Sequence, residues 1–336
     1  MAQPAGKITV LGAGSWGTAL ALVLANNGHN TTLWSHRKAH AQALQNERCN
    51  QRYLPGIVFP DALQIEDDLT AALAAAELVL IVVPSHAFRA TLQQIKPKLN
   101  PSQNIAWATK GLEPGTQKLL HQMVQEELGN TRKMAVLSGP TFAGEVAKQL
   151  PGAVTIASAD SDYAMELARL FNNHYFRAYT GHDIIGVELG GAVKNVLAIA
   201  AGTADGLGFG ANARAALIAR GVAEITRLGA ALGAQTETFM GLTGLGDLVL
   251  TCTDDQSRNR RLGLALGEGK SIEATVAAIG QVVEGINTSK EVRALAQSLN
   301  VDMPISEQVY RVIHESLPPK EAVQALMERA IRSEVD

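Results

Sequence analysis

The chain has 336 residues, of which 46% are hydrophobic and 18% charged, with a formal net charge of −3. That length exceeds what one compact core organises well and predicts two domains, while the apolar content excludes extended disorder. The slight acidity leaves no electrostatic footprint for nucleic acid or for an anionic membrane surface. The two cysteines, Cys49 and Cys252, stand outside any C-x-x-C pair. They predict neither a disulfide framework nor a cysteine-based zinc site, and they fit a reducing, cytoplasmic setting. The eight histidines show no H-E-x-x-H spacing, so no metal is expected. The opening MAQPAGK runs straight into the first strand, which predicts no signal peptide. No apolar run is read as approaching the ~20 residues of a membrane span.

Lys7–Arg37 predicts a βαβ unit. A buried strand over Ile8–Leu11 is followed by Gly12, Gly14 and Gly17 at G-x-G-x-x-G spacing, a helix to Asn27 that stops near Gly28, and a second strand over Thr31–Trp34. A strand before and a helix after turn the glycines into a dinucleotide-binding fingerprint. Gly12 permits the tight turn, Gly14 lets backbone approach a pyrophosphate, and Gly17 allows close helix packing, while the helix start offers N–H groups to the phosphates. A NAD-preferring site usually ends its second strand in Asp or Glu. Here Ser35, His36 and Arg37 stand in that place, so no carboxylate repels a 2′-phosphate and Arg37 can pair with one. NADP(H) is favoured and NAD(H) stays open. The plainer alternative is that His36 and Arg37 are solvated residues opening the next helix.

Further along, helices are expected over Lys38–Arg48, Asp67–Ala76, His86–Lys96, Thr116–Leu128, Phe142–Gln149 and Asp162–Phe171. Between them come strands at Ala62–Ile65, Leu78–Val83, Asn104–Thr109 and Met134–Leu137, then Val154–Ala157 and Tyr175–Ala178, with a Pro- and Gly-containing connection over Asn50–Pro60. This alternation predicts a doubly wound, parallel α/β sheet of Rossmann type, whose ligands lie beyond the carboxyl ends of the strands. Polar groups follow three of those ends: Pro84-Ser85, Lys110 and Ser138-Gly139-Pro140-Thr141. Lys110 suits an anionic ligand, with a surface loop lysine as the alternative. From about residue 183 strand-like runs disappear, and helices are expected near 183–203, 211–232, 257–267, 271–279, 287–299, 303–315 and 319–331. The reading is therefore a nucleotide-binding domain over 1–183 and an all-α domain over 184–336.

Ile184–Ala204, rich in Gly and Ala, carries Lys194 among aliphatic residues, followed by Asn195. A lysine in such surroundings needs a partner or a task, and burial lowers its pKa toward the range of a usable acid or base. A lysine snorkelling at the helix surface is the alternative. In GLTGLGDLVL the carboxylate of Asp247 sits among glycines, which suggests close packing near a ligand or near Lys194. Ser257 reads as an N-cap that places Arg258 and Asn259 in a first helical turn, a ready phosphate or oxyanion site, while Arg260 and Arg261 diverge around the helix. A capped basic helix facing solvent is the alternative there. Glu284 reads by itself as a helix cap. No G-x-S-x-G occurs, and hydride transfer to a small phosphorylated or carboxylated carbonyl compound is the reaction these groups suit. Two competitors are a reductase of another ketone with a similar second domain and a non-enzymatic NADP(H) sensor, which would need neither Lys194 nor Arg258.

The blocks GAGSWGTALA, VVPSH, WATKGLE, SGPTFAGE, ELGGAVKNV, DGLGFGANARAALI, GLGDLVLTC, SRNRR and GQVVEG resemble, in order, the bacterial NAD(P)-dependent glycerol-3-phosphate dehydrogenases. The resemblance implies reversible reduction of dihydroxyacetone phosphate to sn-glycerol 3-phosphate for glycerophospholipid synthesis, a 6-phosphogluconate-dehydrogenase-like arrangement of domains, and a homodimer. It implies Lys194 as proton donor and acceptor, supported by Asp247 and Asn195. Lys110, Gly139, Thr141, Thr251, Ser257, Arg258 and Asn259 would line the substrate. The dinucleotide would meet Gly12, Gly14, Ser15, Trp16, Gly17, His36, Arg37, Lys110, Ala143 and Arg258, with Val282 and Glu284 closing over it.

Overall fold

The computed structural model describes residues 6–331 and 333–334, so the MAQPA segment and the expectation drawn from it lie outside the described residues. Among the described residues ten strands occur: β1 (Lys7–Leu11), β2 (Thr31–Trp34), β3 (Cys49–Asn50), β4 (Leu54–Val58), β5 (Leu63–Glu66), β6 (Ala76–Ile81), β7 (Asn104–Trp107), β8 (Met134–Ser138), β9 (Gly152–Ala157) and β10 (Phe176–Gly181). Eight form one sheet in the order β10-β9-β8-β7-β6-β1-β2-β5, and β3 and β4 form a separate antiparallel hairpin within the stretch read as a plain connection. From β5 to β8 all pairings are parallel. The chain runs outward from β1 to β2 and β5, then returns to β6 on the other side. This reversal opens a ligand crevice above the end of β1.

The last two strands depart from the expected parallel winding. β9 pairs antiparallel with β8, and β10 pairs parallel with β9. Helix length explains this. The β8–β9 connection holds only the five-residue helix Ala143–Ala147, about 7.5 Å long, which cannot return the chain along a strand of about 17 Å. It is shorter than the Phe142–Gln149 expected, because Gln149 takes a left-handed φ of 60°. The eleven-residue helix Ser161–Phe171 is long enough, and β10 accordingly crosses over to lie parallel to β9. Gln117, at φ 58°, likewise delays the helix expected from Thr116 until Leu120.

Beyond β10 the structure is helical. The central helix Ile184–Gly206 begins where Asp183 accepts a hydrogen bond from Gly186 N at 2.9 Å. Around it pack Gly210–Ala231, Asp247–Thr253, Arg258–Gly267 and Glu284–Ser298. Leu189, Val193, Val196 and Leu197 form the heart of this second core with Ile225, Leu228, Phe239, Leu248 and Leu262. By length and mean hydropathy of 1.6 this helix could cross a membrane, which corrects the view that no apolar run is long enough; 83% of that stretch is instead buried inside the protein. The stretch Gly241–Leu250, read only as glycine-rich, lies in a π-helical turn Leu242–Gly246 and the helix Asp247–Thr253, with the helix Thr236–Met240 before it. Gly190 lets this segment reach the central helix: a Cβ there would stand 2.4 Å from the Thr243 carbonyl oxygen.

Candidate active site

The crevice begins at the glycine turn. Gly12 takes φ +118°, and a Cβ on it would meet the Val82 carbonyl at 2.4 Å; a Cβ on Gly17 would meet the Gly12 carbonyl at 1.9 Å. Gly14 differs, with nothing within 4 Å of its Cβ position. The helix Ser15–Asn26 starts there without a side-chain cap, and the buried Nε1 of Trp16 has no hydrogen-bond partner. An open space before uncapped amides and an orphaned indole N–H is the cradle a dinucleotide requires, so the residues present fit the cofactor. At the end of β2, His36 and Arg37 are exposed. Burial and then the charges of Arg37 and His40 lower the His36 pKa; burial first, then Arg52 and Arg37, lower that of His40 against its bond to Asn50. Cationic groups thus gather beyond the end of β2. The carboxylate of Glu66, on the neighbouring strand, is occupied by the amides of Asp67 and Asp68, both at 2.9 Å. β2 lies three strand spacings from β7, about 14 Å, a span suited to an extended dinucleotide.

Beyond β7, Lys110 reaches out of the sheet to the helical half. Its Nζ donates to Asp247 Oδ2 at 2.8 Å and to the Gly139 carbonyl at 3.4 Å. The other carboxylate oxygen, Oδ1, accepts from Lys194 Nζ at 2.5 Å, and Thr251 Oγ1 accepts from the same ammonium at 2.9 Å. Thr251 spends its own proton on the Asp247 carbonyl at 2.6 Å, which leaves its lone pairs for the lysine. Lys194 is 6% exposed and Asp247 fully buried. Two ammoniums share one carboxylate, so the cluster carries a net positive charge in a low-dielectric place. Burial brings the Lys194 pKa down to about 8; Asp247 resists this and Lys110 adds to it. The surface-snorkelling alternative for Lys194 therefore falls away.

A second chain of bonds links Lys194's neighbour to the predicted anion site. Asn195 Oδ1 accepts from Asn259 Nδ2 at 2.9 Å, and Asn259 Oδ1 accepts from the Gly285 amide at 3.0 Å. Ser257 caps this helix by accepting from Arg260 N at 3.2 Å. Arg258 is half-buried, and its guanidinium bonds only to Gln281 Oε1, at 3.4 Å, among the described residues. Burial lowers its pKa and the Glu284 charge opposes that. A guanidinium so lightly engaged remains able to grip an anion. Arg260 turns inward instead, to Asp255 and to Asp205 at 2.6 Å, and Arg261 is exposed. Glu284 Oε2 accepts from Ser85 Oγ at 3.0 Å, tying the start of the helix Glu284–Ser298 to the start of the helix Ser85–Ile95, which follows β6. Burial raises the Glu284 pKa, while Ser85, His86 and Arg258 hold it down.

The sequence of this chain matches two family models over most of its length: "NAD-dependent glycerol-3-phosphate dehydrogenase N-terminus" over residues 7–164 and the corresponding "C-terminus" over 183–324. It is 58% identical over 335 residues to the glycerol-3-phosphate dehydrogenase [NAD(P)+] of Pseudoalteromonas translucida, covering 99% of this chain and 100% of that one. It is 57% identical to the enzyme of the same name from Photorhabdus laumondii, over 98% and 97% of the two chains. The chain belongs to the NAD-dependent glycerol-3-phosphate dehydrogenase family. The crystal structure of glycerol-3-phosphate dehydrogenase from Coxiella burnetii superposes with a TM-score of 0.94 at 51% identity, covering 96% of this chain and 99% of that one. As a glycerol-3-phosphate dehydrogenase of this kind the chain is an oxidoreductase acting on a CH–OH group with NAD(P) as acceptor.

Within this glycerol-3-phosphate dehydrogenase fold, Lys110, Gly139, Lys194, Asp247 and Thr251 form one bonded cluster, and Asn195 joins Asn259. Thr141 Oγ1 donates to the Gly139 carbonyl at 3.3 Å, and Ala143 opens the short helix beside it, packed on the sheet core. Ser257 is buried with its oxygen committed to its own helix. Val282 is 41% exposed. His36 and Arg37 stand apart, at the far end of the crevice. Two groups were passed over in the sequence: Ser85, noted only as a polar strand end, and Glu188, a second charged residue in the apolar helix that carries Lys194. The signal that singled out Lys194 applies equally to Glu188.

Proposed function

We propose that the chain reduces dihydroxyacetone phosphate to sn-glycerol 3-phosphate with NADPH, reversibly, with Lys194 as the proton donor and acceptor. The observation that carries this reading is a buried lysine, bonded to Asp247 and Thr251 beside a nucleotide crevice, whose pKa burial lowers. Gly12, Gly14, Ser15, Trp16 and Gly17 would cradle the pyrophosphate, Arg37 with His36 would take the 2′-phosphate, and Lys110, Ala143, Val282 and Glu284 would border the rest of the dinucleotide. When bound, the reduced nicotinamide supplies a hydride to C2 of the ketone. Lys194 gives its Nζ proton to the C2 oxygen as negative charge develops there, and in oxidation the neutral amine takes that proton back. Asp247 keeps the ammonium aimed, and Asn195 anchors Asn259. Arg258 and Asn259 hold the substrate phosphate at the helix start, and Gly139, Thr141, Thr251, Ser257 and Lys110 line its remainder. Phosphate binding at that distance from C2 contributes orientation to the reacting carbon.

Ser35, His36 and Arg37 in place of a strand-end acid support NADPH over NADH, as a biosynthetic reduction supplying glycerophospholipids would use. Two free, buried cysteines support a reducing cytoplasm. The exposed Phe209 and the half-exposed, alanine-rich start of helix Gly210–Ala231 support a homodimer. The division into domains at 183/184 is supported by the end of the sheet at Gly181 and the start of the central helix at Ile184. The deciding experiment is steady-state oxidation of NADPH and NADH with dihydroxyacetone phosphate against a panel of other 2-ketones. Turnover with dihydroxyacetone phosphate that disappears in Lys194→Ala, while NADPH still binds, is the expected result. Full activity in that variant sinks the mechanism.

A further inference from the structure

The central helix carries a second buried ionic group that the reaction does not use. Glu188 is 4% exposed. Its Oε1 accepts from Trp107 Nε1 at 3.0 Å and from the backbone N–H of His121 at 2.9 Å, and its Oε2 lies 2.6 Å from His121 Nδ1. Every partner belongs to the sheet half of the molecule. Trp107 is fully buried and ends β7, with its ring edge-on to Phe88 at 6.2 Å. His121 is the second residue of the helix Leu120–Leu128, so Glu188 satisfies one of the amides that a helix start leaves unpaired. Burial disfavours a charged His121, but the bond and charge of Glu188 outweigh it and raise the imidazole pKa. A buried carboxylate of this kind costs much of what its partners return, and an apolar side chain could fill the same volume. What an apolar residue could not do is fix a register.

The register matters because Trp107 leads directly into the segment that carries Lys110. Ala108 N donates to the Ile81 carbonyl at 2.9 Å and Thr109 Oγ1 to the Val83 carbonyl at 2.8 Å, so the chain from Trp107 to Lys110 is held stiffly against β6. One turn beyond Glu188 on the same helix face, Gly191 faces Ser138 and Lys110: a Cβ there would stand 2.8 Å from Ser138 Oγ and 3.6 Å from Lys110 Cγ. The Lys110 side chain thus passes over Gly191 on its way to Asp247.

We infer that Glu188 is a positioning residue, whose bonds to Trp107 and His121 set the end of β7 against the central helix so that Lys110 meets Asp247 beside Lys194. The inference rests on the reading of Lys110, Asp247 and Lys194 as the reacting cluster. It is tested with a double-mutant cycle on the full-length protein, using Glu188→Ala, Lys110→Ala and the pair, with folding checked by circular dichroism. Glu188→Ala is expected to lower kcat for dihydroxyacetone phosphate about 10- to 100-fold, since small displacements in a reacting geometry cost that much. In the Lys110→Ala background the same change should cost less than about twofold, because the residue it acts through is gone. Glu188→Gln, which keeps an oxygen for Trp107 and His121 N–H, should recover most of the activity. If Glu188→Ala does not fold, Trp107→Phe removes one of the bonds while keeping an aromatic ring there, and it should show the same dependence on Lys110. Losses that multiply across the cycle would make Glu188 a general structural residue and overturn the inference. Wild-type kcat in a folded Glu188→Ala would do the same. Undiminished turnover in Lys110→Ala alone would instead overturn the site reading, and this inference with it.

Discussion

Glycine is used in opposite ways at the two ends of the site. After β1, Gly14 faces empty space, with no atom within 4 Å of where a Cβ would be. Its missing side chain leaves room for a ligand. In the helical half the missing side chains are filled by backbone. Across the contact between Ile184–Gly206 and Arg258–Gly267, a Cβ on Gly202 would lie 2.1 Å from the Arg260 carbonyl, and one on Gly263 would lie 2.0 Å from the Ile199 carbonyl. Gly206 and Gly267 are similarly closed, at 2.3 and 2.4 Å. Two helices bearing glycines on both sides thus meet backbone to backbone, with no room for a methyl between them. That approach fixes Lys194 on one helix relative to Arg258 and Asn259 on the other. The nucleotide end is thus built to be open, and the chemical end to be incompressible.

The sharpest way to break this contrast is at the groups the incompressible end holds. Lys194→Ala should lower kcat on the order of 10²–10⁴-fold, measured with saturating NADPH and dihydroxyacetone phosphate, with nucleotide binding by fluorescence titration retained. Arg258→Ala should raise KM for dihydroxyacetone phosphate roughly 10- to 100-fold, the loss of a charged hydrogen bond of about 1.5–3 kcal/mol, and should change kcat less. The glycines themselves give the direct comparison. Gly202→Ala should lower stability by about 1–3 kcal/mol in urea unfolding, since backbone must move to admit the methyl. Gly14→Ala, at an ordinary φ of −77°, should leave stability within about 0.5 kcal/mol and act on KM for NADPH instead. If Gly14→Ala unfolds the protein as readily as Gly202→Ala, the contrast fails.

The smallest effect is read in pH. Lys194 has its pKa lowered to about 8, so it is protonated below that value and neutral above it. Reduction needs the protonated form, and its kcat/KM should fall as pH rises through about 8. Oxidation needs the neutral form, and its kcat/KM should rise over the same interval. Limbs that run the other way would assign the proton to a different group.

Much of this was legible in the sequence because the signals were local. A short apolar strand, three spaced glycines and a small-residue helix specify the first βαβ unit without help from the rest of the chain. Lys194 and Asp247 were each legible as unbalanced charges in apolar or glycine-rich surroundings, and such charges must find partners. What was not legible depends on distance or on small differences in length. That Asp247 serves Lys110 as well as Lys194 follows from how the sheet meets the helices, which no spacing records. The reversal of β9 hangs on a helix of five residues where eight were expected, ended by a left-handed Gln149. Glu188 escaped notice because a glutamate in a helix is ordinary until its burial is known.

The pairs that join the two halves also set an order in time. Lys110 and Asp247 are 137 residues apart in the chain, and Ser85 and Glu284 are 199 apart. As the chain emerges from the ribosome, the strands that form the nucleotide crevice are complete well before Asp247 and Glu284 have been made. The glycine turn and the strands around it are therefore made before the residues proposed to react exist. The reacting cluster closes late, when the central helix has both its lysine and its distant aspartate.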